Sequence, residues 1–344
     1  MIVRHSRLAT VAVTAFIAIA FLVAASRMPL LAAVAPTADA AALIQTAQRQ
    51  FNLGNYSGAI STLQSAVSQN ANNAEVYYWL GRSYYELHDF NSAISQLEKA
   101  IQLDAKNSVY HQWLGRAYGD KADHDKSLST AKKVKREFEE AVHLNPANIS
   151  ARRNLEEYLI DAPWIAGGSK DDAKAQVEAI TSLDPVEGHL ARGLFYADAM
   201  KKPDLAENEY REVLKAKPNK VEPYFDVADF FQHQNKPADM DAAVQAAAQV
   251  SSGDPRLGFY RGVAKVLAGT DHTRAEEYLK AYLAGTPDRS DWPTHASARE
   301  WLGRLYESEG KRAEAAEQYR AALQLDPSRK QARARLEQLE KSSR

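Results

Sequence analysis

Trp79-Leu80-Gly81-Arg82 recurs as Trp113-Leu114-Gly115-Arg116 and again as Trp301-Leu302-Gly303-Arg304, and the first two copies start 34 residues apart. Setting Trp79 over Trp301 aligns much more than the tetrapeptide. Tyr84 meets Tyr306, Ala93 meets Ala315, Gln96 meets Gln318, Ala100 meets Ala322, and Gln102-Leu103-Asp104 meets Gln324-Leu325-Asp326. A period of this length predicts helical units that bury a continuous core by packing on their neighbours. It also points to partner binding, because stacked repeats build extended concave surfaces rather than enclosed reaction chambers.

The residue types fit that reading. Gly81, Ala93 and Ala100 are small where helix crossings leave no room for side chains. Leu80, Tyr84, Leu97 and Ile101 recur at three- and four-residue spacing, which lays an apolar stripe along each helix. Polar steps such as His88-Asp89 separate the two helices of a unit. At Asn145-Pro146 and Asp326-Pro327 the proline bars its predecessor from helical geometry, so one helix stops and another begins.

The pattern resembles the tetratricopeptide repeat. Tyr77, Leu80, Gly81, Tyr84, Ala93, Leu97 and Ala100 fill one copy of that family's signature, with Ala105 in the slot for proline. Leu302, Gly303, Tyr306, Ala315, Tyr319, Ala322 and Pro327 fill another. The chain departs from the family where Trp is usual: Tyr77, His111 and Arg299 stand there, and Trp comes two residues later. The resemblance implies an all-α fold, a right-handed superhelical solenoid of about eight helix pairs. The units run roughly 40–73, 74–107, 108–148, 149–185, 186–220, 221–255, 256–287 and 295–329, and residues 330–341 form a polar C-terminal cap helix. Two stretches break the rhythm. Residues 119–130 carry an insertion that reads as a solvated loop at Gly119–Asp125, followed by a long, one-sidedly basic helix; residues 161–170 hold a loop punctuated by Pro163, Gly167 and Gly168. With these two irregularities the chain looks like exported bacterial tetratricopeptide arrays.

Charge is nearly balanced, at 43 basic against 44 acidic residues. Residues 1–40 hold three basic residues and Asp39, so the remainder carries 40 against 43, which gives no reason to expect nucleic acid or an acidic membrane surface as partner. The N-terminus is different in character. Arg4, His5 and Arg7 precede the apolar run Leu8–Ala25, and Ala33-Val34-Ala35 and Ala38-Asp39-Ala40 are shaped like cleavage sites. Residues 1–40 read either as a cleaved export signal or as a retained single-span anchor, which would be the array's sole attachment to a membrane. Both place residues 41–344 outside the cytoplasm, periplasmic, secreted or held at the inner membrane. Cysteine is absent, which excludes disulfides, a lipid-modified Cys, a thiol nucleophile and a thiolate metal site.

Catalytic and metal motifs are thin. Ser129-Thr130-Ala131-Lys132 has the Ser-x-x-Lys spacing of penicillin-recognising enzymes without their companion motifs, and reads as ordinary helix. Gly167-Gly168-Ser169-Lys170 lacks the spacing of a phosphate loop. Asp120, Asp123, His124 and Asp125 lack the order of a calcium loop, and the nine His form no His-Glu-x-x-His pair. The chain is therefore expected to have no cofactor, no metal and no enzymatic activity.

A concave groove remains as the functional feature. The resemblance assigns the first helix of each unit to it, and with it Tyr78, Arg82, Tyr85, Gln112, Arg116, Phe225, Asp229, Gln232, Glu300 and Arg304. The family's Lys/Asn clamp for peptide carboxylates is not reproduced. Two functions are open: a scaffold of the bacterial cell envelope that binds a protein or peptide in the groove, or an accessory subunit of an envelope assembly, secretion or polysaccharide-export machine. The partner's identity and the oligomeric state are not written in the sequence. A reporter fused after Ala40 is expected to be exported, and its retention in the cytoplasm would refute the reading of the N-terminus.

Overall fold

The structure is a computed structural model and describes residues 38–341. The expected export segment and its candidate cleavage sites therefore lie almost wholly outside the described residues. Seventeen α-helices and no strand are found among the described residues. Sixteen helices form eight pairs, each packed face to face: α1 (Ala38–Asn52) with α2 (Tyr56–Gln69), α3 (Ala74–Glu86) with α4 (Phe90–Leu103), α5 (Ser108–Asp125) with α6 (Leu128–Leu144), and α7 (Ile149–Asp161) with α8 (Lys170–Leu183). The second half repeats the scheme with α9 (Pro185–Leu194) and α10 (Pro203–Ala216), α11 (Glu222–His233) and α12 (Pro237–Val250), α13 (Arg256–Ala268) and α14 (His272–Gly285), and α15 (His295–Ser308) and α16 (Arg312–Leu325). Cap helix α17 (Lys330–Lys341) closes the array against α16. None of the described helices is long and apolar enough to cross a membrane.

Sequence dictates the boundaries locally. Asn55, Asn73, Asp89, Asn107 and Asn148 each accept a backbone N–H of the first turn of the helix that follows. Proline opens α9, α10 and α12, where its missing N–H costs nothing. The residues at the family's Trp position have a different task here. Tyr77 donates to the carbonyl of Ala71 (3.1 Å), Arg152 to that of Pro146 (2.7 Å) and Tyr224 to that of Pro218 (3.1 Å), and a ring nitrogen of His111 lies 3.3 Å from the carbonyl of Ala105. In each case the partner is six residues upstream, so one polar side chain pins the turn between units.

Each pair is held by an intimate crossing. A Cβ on Gly81 would lie 2.6 Å from Leu97 Cγ, one on Gly115 2.5 Å from the Phe138 ring, and one on Gly303 2.5 Å from the Tyr319 ring. The opposing large side chains fill the space the glycines leave open. The first helices also touch one another in succession, from α1 through α15, whereas no comparable contacts link the second helices. The first helices therefore line the concave side.

The expected loop at 119–125 is instead helix. The insertion lengthens both members of the third pair, α5 to 18 residues and α6 to 17. Gly119 faces open space, Ala122 is buried, and Lys121 bridges to Asp125 one turn on at 2.7 Å, so the extra turns need no special packing to persist. Lys126 then ends the helix in the left-handed region (φ 52°). At 161–170 the irregularity is real: Trp164–Ala166 form a single 3-10 turn, tied down by the Tyr158 hydroxyl at the carbonyls of Ala131 (2.6 Å) and Ala166 (2.8 Å).

Gly81→Leu is expected to overpack the α3–α4 crossing and lower stability by about 1–3 kcal/mol. Chemical denaturation checks it, and an unchanged midpoint would mean that the crossing has room to spare.

Candidate groove on the concave face

Three of the sequence-predicted residues converge around one ring. The guanidinium carbon of Arg82 lies 3.9 Å from the centre of the Trp113 ring, and that of Arg116 lies 4.2 Å from the same centre. Arg82 also faces Phe51 (4.7 Å) and Trp79 (5.3 Å), and Arg116 faces Tyr85 (5.4 Å). Arginine is suited to this seat, since its flat, weakly hydrated cation is attracted to aromatic faces. The Nε of Arg82 is buried without a hydrogen-bond acceptor. Tyr78 flanks the cluster, its ring 5.2 Å from that of Tyr110.

Other predicted residues are spread along the groove. Tyr85 is buried edge-on against Trp113 (5.6 Å). Gln112 is buried and donates to Ser150 Oγ (2.7 Å) and Asn154 Oδ1 (2.9 Å), so it joins neighbouring units rather than facing a ligand. Phe225 is also covered, stacked on Tyr260 at 4.7 Å with Arg256 4.6 Å away on its ring. Asp229 accepts from the Tyr260 hydroxyl at 3.0 Å and borders a cavity of about 410 Å³ shared with Asp226, Arg256 and Trp292. Gln232 borders both that cavity and a broader groove of about 980 Å³, where Arg304 lies 3.8 Å over Trp301. Glu300 is buried there and accepts from Arg329 at 2.6 Å.

Burial shifts the groove's acids upward. Asp229 is pushed up to about 7 by desolvation, against the opposing hydrogen bond from Tyr260. Desolvation likewise raises Asp120 and Glu86. Arg153 is held above the ordinary guanidinium range chiefly by Asp226, which it meets at 2.9 Å, with Glu187 at 3.4 Å. Among the described residues no group of three or more His, Cys, Asp or Glu is placed to hold a metal ion.

Two features escaped the sequence reading. Glu156 follows Leu155 as Gly81 follows Leu80, so unit four places a carboxyl where five of its sisters have glycine and two have alanine, Ala47 and Ala228. It is fully buried, neither oxygen has a hydrogen-bond partner, and desolvation raises it to about 8. Val177 stands in the register of the larger Leu97. Aligning Leu155-Glu156 beneath the Leu-Gly pairs would have exposed it. The second feature is the segment 286–294, left between units seven and eight, which reaches units one and two. The Tyr56 hydroxyl donates to the Asp288 carbonyl at 2.7 Å, and Ser290 donates its amide and hydroxyl to Glu86 at 2.8 and 2.9 Å.

A helical-repeat array with clustered arginines and aromatic rings along its first helices is the class these features define. Residues 50–117 and 266–330 each match a family model described as tetratricopeptide repeat, so the chain carries tetratricopeptide repeats. No curated protein matches it. Among solved structures it is similar to a tetratricopeptide repeat protein from Parabacteroides merdae, at 14% identity and a TM-score of 0.47, covering 77% of this chain and 98% of that one. It is also similar to a thermophilic protein of the family in Thermus thermophilus, at 18% identity and a TM-score of 0.46, covering 56% of this chain and 98% of that one.

Glu156→Met should stabilise the array by about 1–3 kcal/mol near pH 8, since a buried unpaired polar group is removed at nearly constant volume. The sign follows from linkage. The folded state holds the Glu156 proton more tightly than the unfolded chain, so wild-type stability from this group is intact below the ordinary glutamate value of 4.5 and is lost as pH rises to about 8. Urea midpoints measured from pH 4 to 9 should fall less for Glu156→Met than for wild type; parallel curves would refute a buried titrating carboxyl.

Proposed function

We propose that this protein is a non-catalytic scaffold that captures an extended segment of a protein or peptide partner in its concave groove, on the surface formed by Arg82, Trp113 and Arg116. The tetratricopeptide fold supports interaction with other proteins as the general role. The observation that carries the finer reading is the pair of guanidinium groups on a single Trp113 ring, at 3.9 and 4.2 Å. Two cations fixed against an aromatic surface favour a carboxylate-bearing segment.

The reading extends to location. Export through residues 1–40, by a cleaved signal or a retained anchor, would place the array in the bacterial envelope, where a scaffold meets exported clients. The basic start, apolar run and small-residue motifs support this.

Arg82→Glu with Arg116→Glu should abolish capture of a partner identified by crosslinking in cells. Because Arg82 rests on three rings, the double variant should also lose about 1–2 kcal/mol of stability. Arg116→Glu alone separates the effects, with capture reduced at least tenfold and the thermal midpoint close to wild type. Undiminished capture by the folded double variant would move the site elsewhere, the 161–170 loop being the next candidate.

A further inference from the structure

The segment 286–294 crosses from units seven and eight to the groove of units one and two, and it binds there as a peptide would. Ser290 presents its backbone amide to Glu86 Oε2 (2.8 Å) and its hydroxyl to Oε1 (2.9 Å), so both oxygens of one buried carboxylate are read by one residue. Asp288 contributes a main-chain carbonyl to the Tyr56 hydroxyl at 2.7 Å. Arg289 forks onto Asp291 at 2.9 and 2.7 Å and lies 5.9 Å from the Phe51 ring, one of the rings that seat Arg82. Asp291 in turn feels the Arg82 charge. Pro287 lies against Gly54, where an added Cβ would be 2.6 Å from the Pro287 Cβ; Gly54 has φ +75°, so both space and backbone ask for glycine. The seat is incompletely filled, leaving a cavity of about 110 Å³ bordered by Tyr85, Glu86, Asp120 and Arg289.

These contacts join residues 204 and 232 apart in sequence, and they combine main-chain and side-chain recognition. We propose that residues 287–292 are an intramolecular ligand of the N-terminal groove, and that the site they occupy takes a segment that turns as Arg289–Trp292 do, where the Trp292 amide donates to the Arg289 carbonyl at 3.2 Å, carrying a Ser or Thr opposite Glu86 and an acidic residue near Arg82. This rests on the groove reading above and deepens it, since a partner must displace the strap to reach the same surface. Partner binding is then a competition against a tethered rival, and tethering sets an effective concentration in the millimolar range. A free copy of the strap should thus be excluded from the intact protein and admitted once the strap is removed.

The test uses a fluorescent synthetic peptide with the sequence of residues 286–294 (TPDRSDWPT) and the full chain. Replacing residues 287–292 with a Gly-Ser linker should expose the seat, and the peptide should bind this variant at least ~100-fold more tightly than wild type. Adding Glu86→Ala to the linker variant should abolish that binding. No binding to the folded linker variant, equal binding to wild type, or indifference to Glu86→Ala would each overturn the proposal. Should the linker variant fail to fold, the intact chain still decides: Glu86→Ala should speed hydrogen exchange at the Ser290 amide while the helices keep their protection, and unchanged exchange there would overturn the proposal. Failure here with loss of capture in the Arg82/Arg116 variants would leave the groove reading standing and remove the strap as its ligand.

Discussion

In five of the eight units two helices pack closely because glycine stands at their crossing. At Gly81, Gly115, Gly193, Gly262 and Gly303 an added Cβ would meet the opposing side chain at 2.5 to 2.8 Å, well inside contact distance. The opposing residue is large each time, Leu97, Phe138, Tyr210, Leu279 or Tyr319, and fills the gap with its own branch or ring. Close approach sets the pair geometry, and repeated pair geometry sets the curvature that turns the first helices inward. Tyr78, Arg82, Arg116 and Arg304 share a helix face in their units, so their place on the concave side follows from the same crossings.

The Trp-Leu-Gly-Arg tetrapeptide compresses this into four letters. Leu points into the unit's core, Gly admits the second helix, and Arg lies on the ring of the Trp three positions before it. The last relation holds in all three copies, at 5.3 Å for Arg82 on Trp79, 4.2 Å for Arg116 on Trp113 and 3.8 Å for Arg304 on Trp301. Spacing of three brings the side chains to one helix face. The same aromatic surface that packs the array therefore also seats a row of cations.

The helix pairs were legible because their signals are local: small residues at crossings, apolar stripes, caps and proline steps. Gly119–Asp125 misled for the opposite reason. Gly and three aspartates read as loop, yet two adjoining helices grew together and the insertion found support in Ala122 and the Lys121–Asp125 pair. Arg82 and Arg116 were assigned to the same surface by register alone, but their common seat on Trp113 was not, because it depends on the offset between adjacent units. Gln112 and Phe225 occupy first-helix positions as expected and are nevertheless covered, by Asn154 and Ser150 in one case and Tyr260 in the other. Repeat position identifies the helix face, while neighbouring side chains decide whether a residue on it stays open.

The strap lies at the far limit of what sequence can convey. Contacts in a solenoid are mainly between neighbours, so its energetics approximate a sum along the chain. Tyr56–Asp288 and Glu86–Ser290 break that rule, joining the first two units to the connection between the last two. With both contacts made, the curvature of the intervening units can no longer vary freely, because any change in pitch must move Ser290 relative to Glu86. The small-residue crossings that fix most of the pairs thus act over the length of the array as well. Small differences in pair geometry, accumulated over several units, determine whether the strap reaches its seat. If a partner displaces the strap as proposed, groove occupancy and superhelix shape are two aspects of one equilibrium, and a ligand that favours the strap-free groove favours the unclasped array to the same degree.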